Sequence, residues 1–240
     1  MMVLFFISCM ALRVCVPIVP TSLSHLLESM KKAAPKADIL ELWMGELSPE
    51  ERFYDVIFAL KKQLQIPVLI TIKGEEEKGH FTGTAEEKVE ILLECAQRGA
   101  EYIDIDYEFS PKLLQKIQGN KGETKIILSA HFFRGTPSLP ALLSRVEKMK
   151  ERGADMVKIA AFAEDPRDLI TILRLAENLK RSETPFIAIA MGDIGKPSRL
   201  LTPFLGGEMS FAPLEISQSS APGQIPVDAL RAAWNTVKMD

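Results

Sequence analysis

Cysteine is scarce in these 240 residues, with three in all, and there is no basic excess: 29 Lys+Arg stand against 32 Asp+Glu. Cys9, Cys15 and Cys95 sit at spacings that fit neither a zinc site nor a disulfide framework, and the odd count leaves at least one thiol free. That usage suits a reducing compartment, so the chain reads as cytoplasmic. The formal net charge of -3, with both signs mixed along the chain, lacks the basic face that a nucleic-acid backbone demands. No nucleic-acid partner is expected. Long apolar runs are missing too. Segment 1–11 resembles the apolar part of a signal peptide, but no basic residue precedes it, and Arg13 ends it well short of the roughly 18 residues that span a bilayer. Residues 1–10 read as an extension ahead of the fold, or as a start placed upstream of a true one at Met10. No membrane partner is expected.

The 47% of hydrophobic residues is enough for a sizeable core without disulfides or a structural metal. Short runs rich in Val, Ile and Leu alternate with segments of helical period, the pattern of repeated βα units. The spacing predicts strands at 12–19, 39–44, 67–72, 102–106, 125–130, 156–160, 186–191 and 209–214. Ser48-Pro49-Glu50-Glu51 and Thr84-Ala85-Glu86-Glu87 read as capping boxes, and Asp165-Pro166 opens a further helix. Behind the first box, Phe53, Val56, Ile57, Leu60 and Leu64 would form one buried stripe. Arg98-Gly99-Ala100-Glu101 and Arg152-Gly153-Ala154-Asp155 are near-repeats in which glycine would take a left-handed helix cap. Eight strand–helix pairs fit an α/β fold of the (β/α)8 TIM-barrel type, usually about 250 residues long, as a single catalytic domain over 11–240. A doubly wound sheet would carry a glycine-rich fingerprint after its first strand. Pro17-Ile18-Val19-Pro20-Thr21 stands there instead.

In such a barrel the chemistry lies at the carboxyl ends of the strands, which directs attention to Glu41, Lys73, Asp104, Asp106, His131, Lys158 and Arg199. Lys158 sits in the apolar run Asp155-Met156-Val157-Lys158-Ile159-Ala160-Ala161, and lysine is almost never buried without a partner or a task. It either pairs with a carboxylate inside the barrel or, once uncharged, acts as an amine nucleophile toward a carbonyl. His131 ends the preceding strand, where it is either a satisfied structural residue or a proton-transfer group. The charged loop 73–80 reads as solvated, yet its position keeps a carboxylate partner for His131 in play. Gly192-Asp193-Ile194-Gly195-Lys196 has two residues where a phosphate-binding Walker loop needs four, so Arg199 remains as either a fork for a carboxylate or a surface residue.

Asp155-Met156-Val157-Lys158, Ser129-Ala130-His131, Met191-Gly192 with Ser198-Arg199, and Ser220-Ala221-Pro222-Gly223-Gln224 together give a resemblance to type I 3-dehydroquinate dehydratase, a Schiff-base enzyme of the shikimate pathway. The resemblance runs over nearly the whole chain from Leu12. It implies that Lys158 attacks the ketone of 3-dehydroquinate, that His131 is general acid and base, and that Glu77 orients His131. It further implies that Arg199 binds the substrate carboxylate, that Glu41, Lys73, Met191 and Phe211 line the pocket, and that Ser220 and Gln224 lie on a mobile loop over it. Neither a metal nor an organic cofactor is implied.

The chain departs from the family pattern, which has arginine where Trp43 and Lys73 stand. Lysine loses the planar fork and tryptophan loses the charge as well. Segment 214–219 looks more like the versions fused to shikimate dehydrogenase, so a downstream shikimate dehydrogenase domain or a free-standing enzyme both fit, as does a homodimer. The alternatives to a dehydratase are a class I Schiff-base aldolase and a ligand-binding or regulatory homologue without turnover.

Overall fold

The computed structural model describes residues 12–237; the expected 1–10 extension and Cys9 lie outside the described residues. Cys15 and Cys95 are both buried free thiols. The strands are β1 (Val14–Ile18), β2 (Ile39–Trp43), β3 (Val68–Thr71), β4 (Tyr102–Asp106), β5 (Lys125–Phe132), β6 (Met156–Phe162), β7 (Phe186–Met191) and β8 (Ser210–Phe211). Between and after them run α1 (Leu23–Ala33), α2 (Tyr54–Leu64), α3 (Ala85–Gln97), α4 (Pro111–Asn120), α5 (Leu139–Glu151), α6 (Pro166–Arg181), α7 (Lys196–Phe204) and α8 (Val227–Val237).

Every adjacent pair of strands is parallel, in the order β7-β6-β5-β4-β3-β2-β1-β8. The Glu208 amide donates to Phe186 O at 2.9 Å, which ties the β8 end back to β7 and nearly closes the ring. The chain is therefore a single (β/α)8 TIM barrel. Alternation along each strand splits the core in two. Leu40, Leu42, Ile70, Ile103, Ile105, Leu128, Val157 and Ile159 face the helices. Cys15, Ile39, Leu69, Tyr102, Ile127, Met156, Ile187 and Met209 fill the barrel interior.

Thr84 forms the expected capping box with Glu87, and Asp165 forms one with Asp168. Gly99 and Gly153 take φ of 90° and 81°, the left-handed caps expected of the repeated exits. The Ser48 box does not form. Pro49–Glu51 is a lone 3-10 turn, because the Glu51 carboxylate instead accepts the Leu23 amide at the start of α1, at 3.3 Å. Helix α2 begins at Tyr54, and Phe53 and Val56 face solvent rather than joining Ile57 and Leu60 in the core. β8 is shorter than the predicted 209–214, since Pro213 cannot donate to a ladder. β5 and β6 run two residues longer than predicted, which makes His131 a strand residue. Among the described residues no helix is long and apolar enough to cross a membrane.

Candidate active site

Above the apolar floor, the next inward positions are polar. Glu41, Thr71, Asp104, Ser129 and Lys158 succeed Ile39, Leu69, Tyr102, Ile127 and Met156 at intervals of two, and all five are buried. Register sets their neighbours: Ser129 pairs with Lys158, and Thr71 with Asp104. Charges this deep cost the fold unless they are partnered. Lys158 Nζ donates to Asp104 Oδ2 at 2.7 Å, lies 3.7 Å from Glu41 Oε1 and sits 4.5 Å from the centre of the Phe211 ring. The other oxygen of Asp104 accepts from Ser129 Oγ at 2.5 Å and from Lys73 Nζ at 3.3 Å. Burial alone would raise the Asp104 pKa; the Lys158 and Lys73 ammonium groups overcome it and hold the carboxyl well below its usual range.

Lys73 reaches outward as well, donating to Glu77 Oε1 at 2.6 Å, and Lys88 Nζ stands 3.8 Å from the other oxygen of Glu77. Burial opposes the charge on Lys73, but Asp104 and Glu77 raise its pKa above the ordinary value. Glu75 and Glu76 face solvent, as a charged run should, while Glu77 turns inward. Gly79 makes that turn feasible: a Cβ there would lie 2.1 Å from Lys73 O. Glu77 Oε1 is 3.7 Å from His131 Nδ1, beyond hydrogen-bond reach, so in this conformation Lys73 is its partner rather than the imidazole. His131 stacks on Phe133, with ring centroids 5.9 Å apart. Its Nδ1 has no hydrogen-bond partner among the described residues. Burial, then repulsion from Lys73 and Lys158, pushes its pKa well below the ordinary 6.5 against the pull of Asp104. The ring is neutral at neutral pH.

Arg199 lies on α7 but is only 1% exposed, which removes the reading as a surface residue. No carboxylate lies within 4.0 Å of it among the described residues, and burial lowers its pKa to about 10. Its fork donates to Phe211 O at 3.4 Å and to Pro222 O at 3.0 Å. The second bond fastens the loop between β8 and α8. The Gly192 amide also donates to Pro222 O, at 3.2 Å, and Gln224 holds the loop from within by accepting the Ser220 amide and donating to Ser220 Oγ.

Lys158, His131 and Glu77 front one cavity together with Glu41, Lys73, Met191, Arg199, Phe211, Ser220 and Gln224. Its volume is about 70 Å³, with the Ser220–Gln224 loop for a roof. Among the described residues, Glu77, Asp106 and His131 bring possible metal-ligand atoms within 4.8 Å of one another. The ammonium groups of Lys73 and Lys88 already stand against Glu77, filling the electrostatic role a cation would take there. What the geometry can do is carbonyl chemistry: an amine on a cavity wall, a neutral imidazole on the adjacent strand, and a guanidinium with no carboxylate partner among the described residues.

A profile described as type I 3-dehydroquinase matches residues 14–240. The chain belongs to that family. It is 32% identical over 228 residues to the 3-dehydroquinate dehydratase of Methanosarcina mazei, covering 92% of this chain and 94% of that protein. It is 31% identical to the chloroplastic bifunctional 3-dehydroquinate dehydratase/shikimate dehydrogenase of Arabidopsis thaliana, of which it spans 36%. The crystal structure of 3-dehydroquinate dehydratase from Geobacillus kaustophilus superposes with a TM-score of 0.83 at 26% identity, covering 94% of this chain and 90% of that one. This member of the type I 3-dehydroquinase family is accordingly a lyase-family barrel.

Sequence reasoning set Asp104 among the strand-end groups without giving it a place in the site, and passed over Ser129 as a contact. The signal for both was the interval of two from Tyr102 and Ile127, which fixes them on the inner face.

Proposed function

We propose that this chain dehydrates 3-dehydroquinate to 3-dehydroshikimate through a Schiff base on Lys158. The observation that carries the reading is the juxtaposition, around one cavity, of the Lys158 amine, the neutral His131 imidazole and the unpaired Arg199 guanidinium. Arg199 binds the substrate carboxylate by its fork and so orients the ring. Lys158 must pass its proton to solvent before it can attack. Lys73 shares the Asp104 carboxylate with it, contacting the other oxygen.

The free amine adds to the ketone carbon, and loss of the ketone oxygen as water leaves an iminium. His131 removes a proton from the adjacent carbon, whose electron pair flows toward the iminium nitrogen to give an enamine. The enamine pushes out the β-hydroxyl, which takes the proton from His131 and departs as a second water. Hydrolysis of the conjugated iminium consumes one water and frees the amine. The net change is the loss of one water, with no electron donor or acceptor required. Lys73 holds the Glu77 carboxylate beside the imidazole, and Met191 and Phe211 pack on the ring faces.

Borohydride added during turnover should reduce the iminium and leave a stable adduct on Lys158, found by mass spectrometry, while the conjugated product appears in the ultraviolet. Lys158→Ala should abolish both. An aldolase would leave this ketone untouched, and a binding protein would bind it with neither adduct nor product; either result overturns the proposal.

A further inference from the structure

The end of β2 carries a residue that the proposed chemistry leaves idle. Trp43 is 8% exposed, and its indole N–H donates to Glu41 Oε2 at 3.0 Å, while the other oxygen of Glu41 faces Lys158 at 3.7 Å. Trp43 also fronts two spaces. One is the cavity of about 70 Å³ that holds Lys158 and His131. The other is a cavity of about 380 Å³, walled by Pro17, Ile18, Val19 and Leu214 with His25 and Ser217 among its polar groups. Trp43, Lys78 and Ser220 front both. Lys78 and Ser220 are a flexible side chain and a short one on loops, so the indole is the rigid part of the partition.

We infer that Trp43 is the specificity-determining wall of the site: it limits the ring substrate to the smaller cavity and holds Glu41 toward it. Two separable effects follow. As a wall, the indole excludes ligands with a bulky substituent directed toward β1, although space of about 380 Å³ lies just behind it. As a donor, it fixes which way the Glu41 carboxylate points, and a carboxylate beside a substrate hydroxyl binds well only when its lone pairs are already aimed. The inference rests on the reading of the cavity as a site for 3-dehydroquinate.

Phenylalanine at this position keeps most of the wall and loses the donor, whereas alanine loses both. Binding of 3-dehydroquinate, and of its benzyl ether at either secondary ring hydroxyl, is measured by calorimetry on the wild type, Trp43→Phe and Trp43→Ala. Trp43→Phe should bind the parent more weakly and still refuse both ethers. Trp43→Ala should bind at least one ether about tenfold or more tighter than the wild type does, the scale on which a pocket wall discriminates single carbon groups. Should Trp43→Ala fail to fold, Trp43→Leu carries the same expectation. Ethers refused by the alanine or leucine variant, or accepted by the wild type, overturn the inference. If the wild type neither binds nor traps the unmodified ketone, the functional reading itself has failed instead.

Discussion

His131, the proposed proton-transfer group, shows how one side chain's surroundings would fix the pH range of a reaction. Its ring is buried, and the ammonium groups of Lys73 and Lys158 add repulsion that Asp104 does not cancel, so the neutral form is favoured well below the ordinary pKa of 6.5. A base that is neutral down to acid pH keeps working there, so His131 should add no acid limb of its own to kcat/KM, which reports the free enzyme, between pH 7.5 and 6.5. The folded pKa lies under the unfolded one, so the same residue contributes stability above about pH 6.5 that is lost as the pH drops toward the folded value. The measurement is kcat/KM against pH. An acid limb centred at or above pH 7 that is missing from His131→Asn would show a protonated, solvated imidazole, contrary to the burial of this one. Asp104 follows the opposite path: its carboxyl stays ionised because Lys158 and Lys73 outweigh burial, so the group anchoring the amine does not titrate across this range.

At the level of strands and loops, continuous apolar runs made most of the fold legible, and the period-2 rule could have yielded more of the site. Apolar runs placed all eight strands, because strands of a closed parallel barrel are buried on both sides. The same runs hid the inward alternation Tyr102-Asp104-Asp106 and Ile127-Ser129-His131, in which polar groups stack above the floor. Side-chain partners are a matter of three dimensions, so the choice of Glu77 by Lys73 and of Leu23 by Glu51 could not be read from spacing. The loop from 212 to 226 was legible as the motif Ser220-Ala221-Pro222-Gly223-Gln224 and the segment 214–219, but not in its course. Its geometry supplies a test. Gly223 has φ of 77°, and a Cβ there would lie 2.3 Å from Gly192 O. The loop roofs the cavity that Lys158 and His131 front. The proposed substrate would enter beneath the loop and be shielded from water when the loop is seated. Gly223→Ala should cost the seated conformation about 1–3 kcal/mol, lowering kcat/KM about tenfold or more and exposing the loop to limited proteolysis. Unchanged kinetics and an unchanged cleavage pattern would show that the seated loop has no part in turnover.

Across the whole molecule, the site is a place where stability is given up for binding. Arg199 is a charge with 1% exposure and no carboxylate partner among the described residues, and such a group costs the fold until an anion reaches it. Methionine keeps much of the stem without the charge. It would deprive Phe211 O of a weak donor at 3.4 Å, while Pro222 O keeps the Gly192 amide. Arg199→Met should therefore melt at or above the temperature of the wild type when no ligand is present. The ligand reverses the ranking. At a concentration of about 100 times Kd, a carboxylate-bearing substrate or product stabilises the native state by about 2.7 kcal/mol, a melting shift of roughly 5–10 °C for a chain of this size. The wild type should show that shift and Arg199→Met should lose most of it at the same ligand concentration. A variant that melts below the wild type yet shifts fully with ligand would assign Arg199 to holding the loop and the strand end, and the carboxylate would have to be bound elsewhere. The opposed signs matter because a purely structural arginine moves the free and liganded melting temperatures together, whereas one held unpaired for an anion separates them.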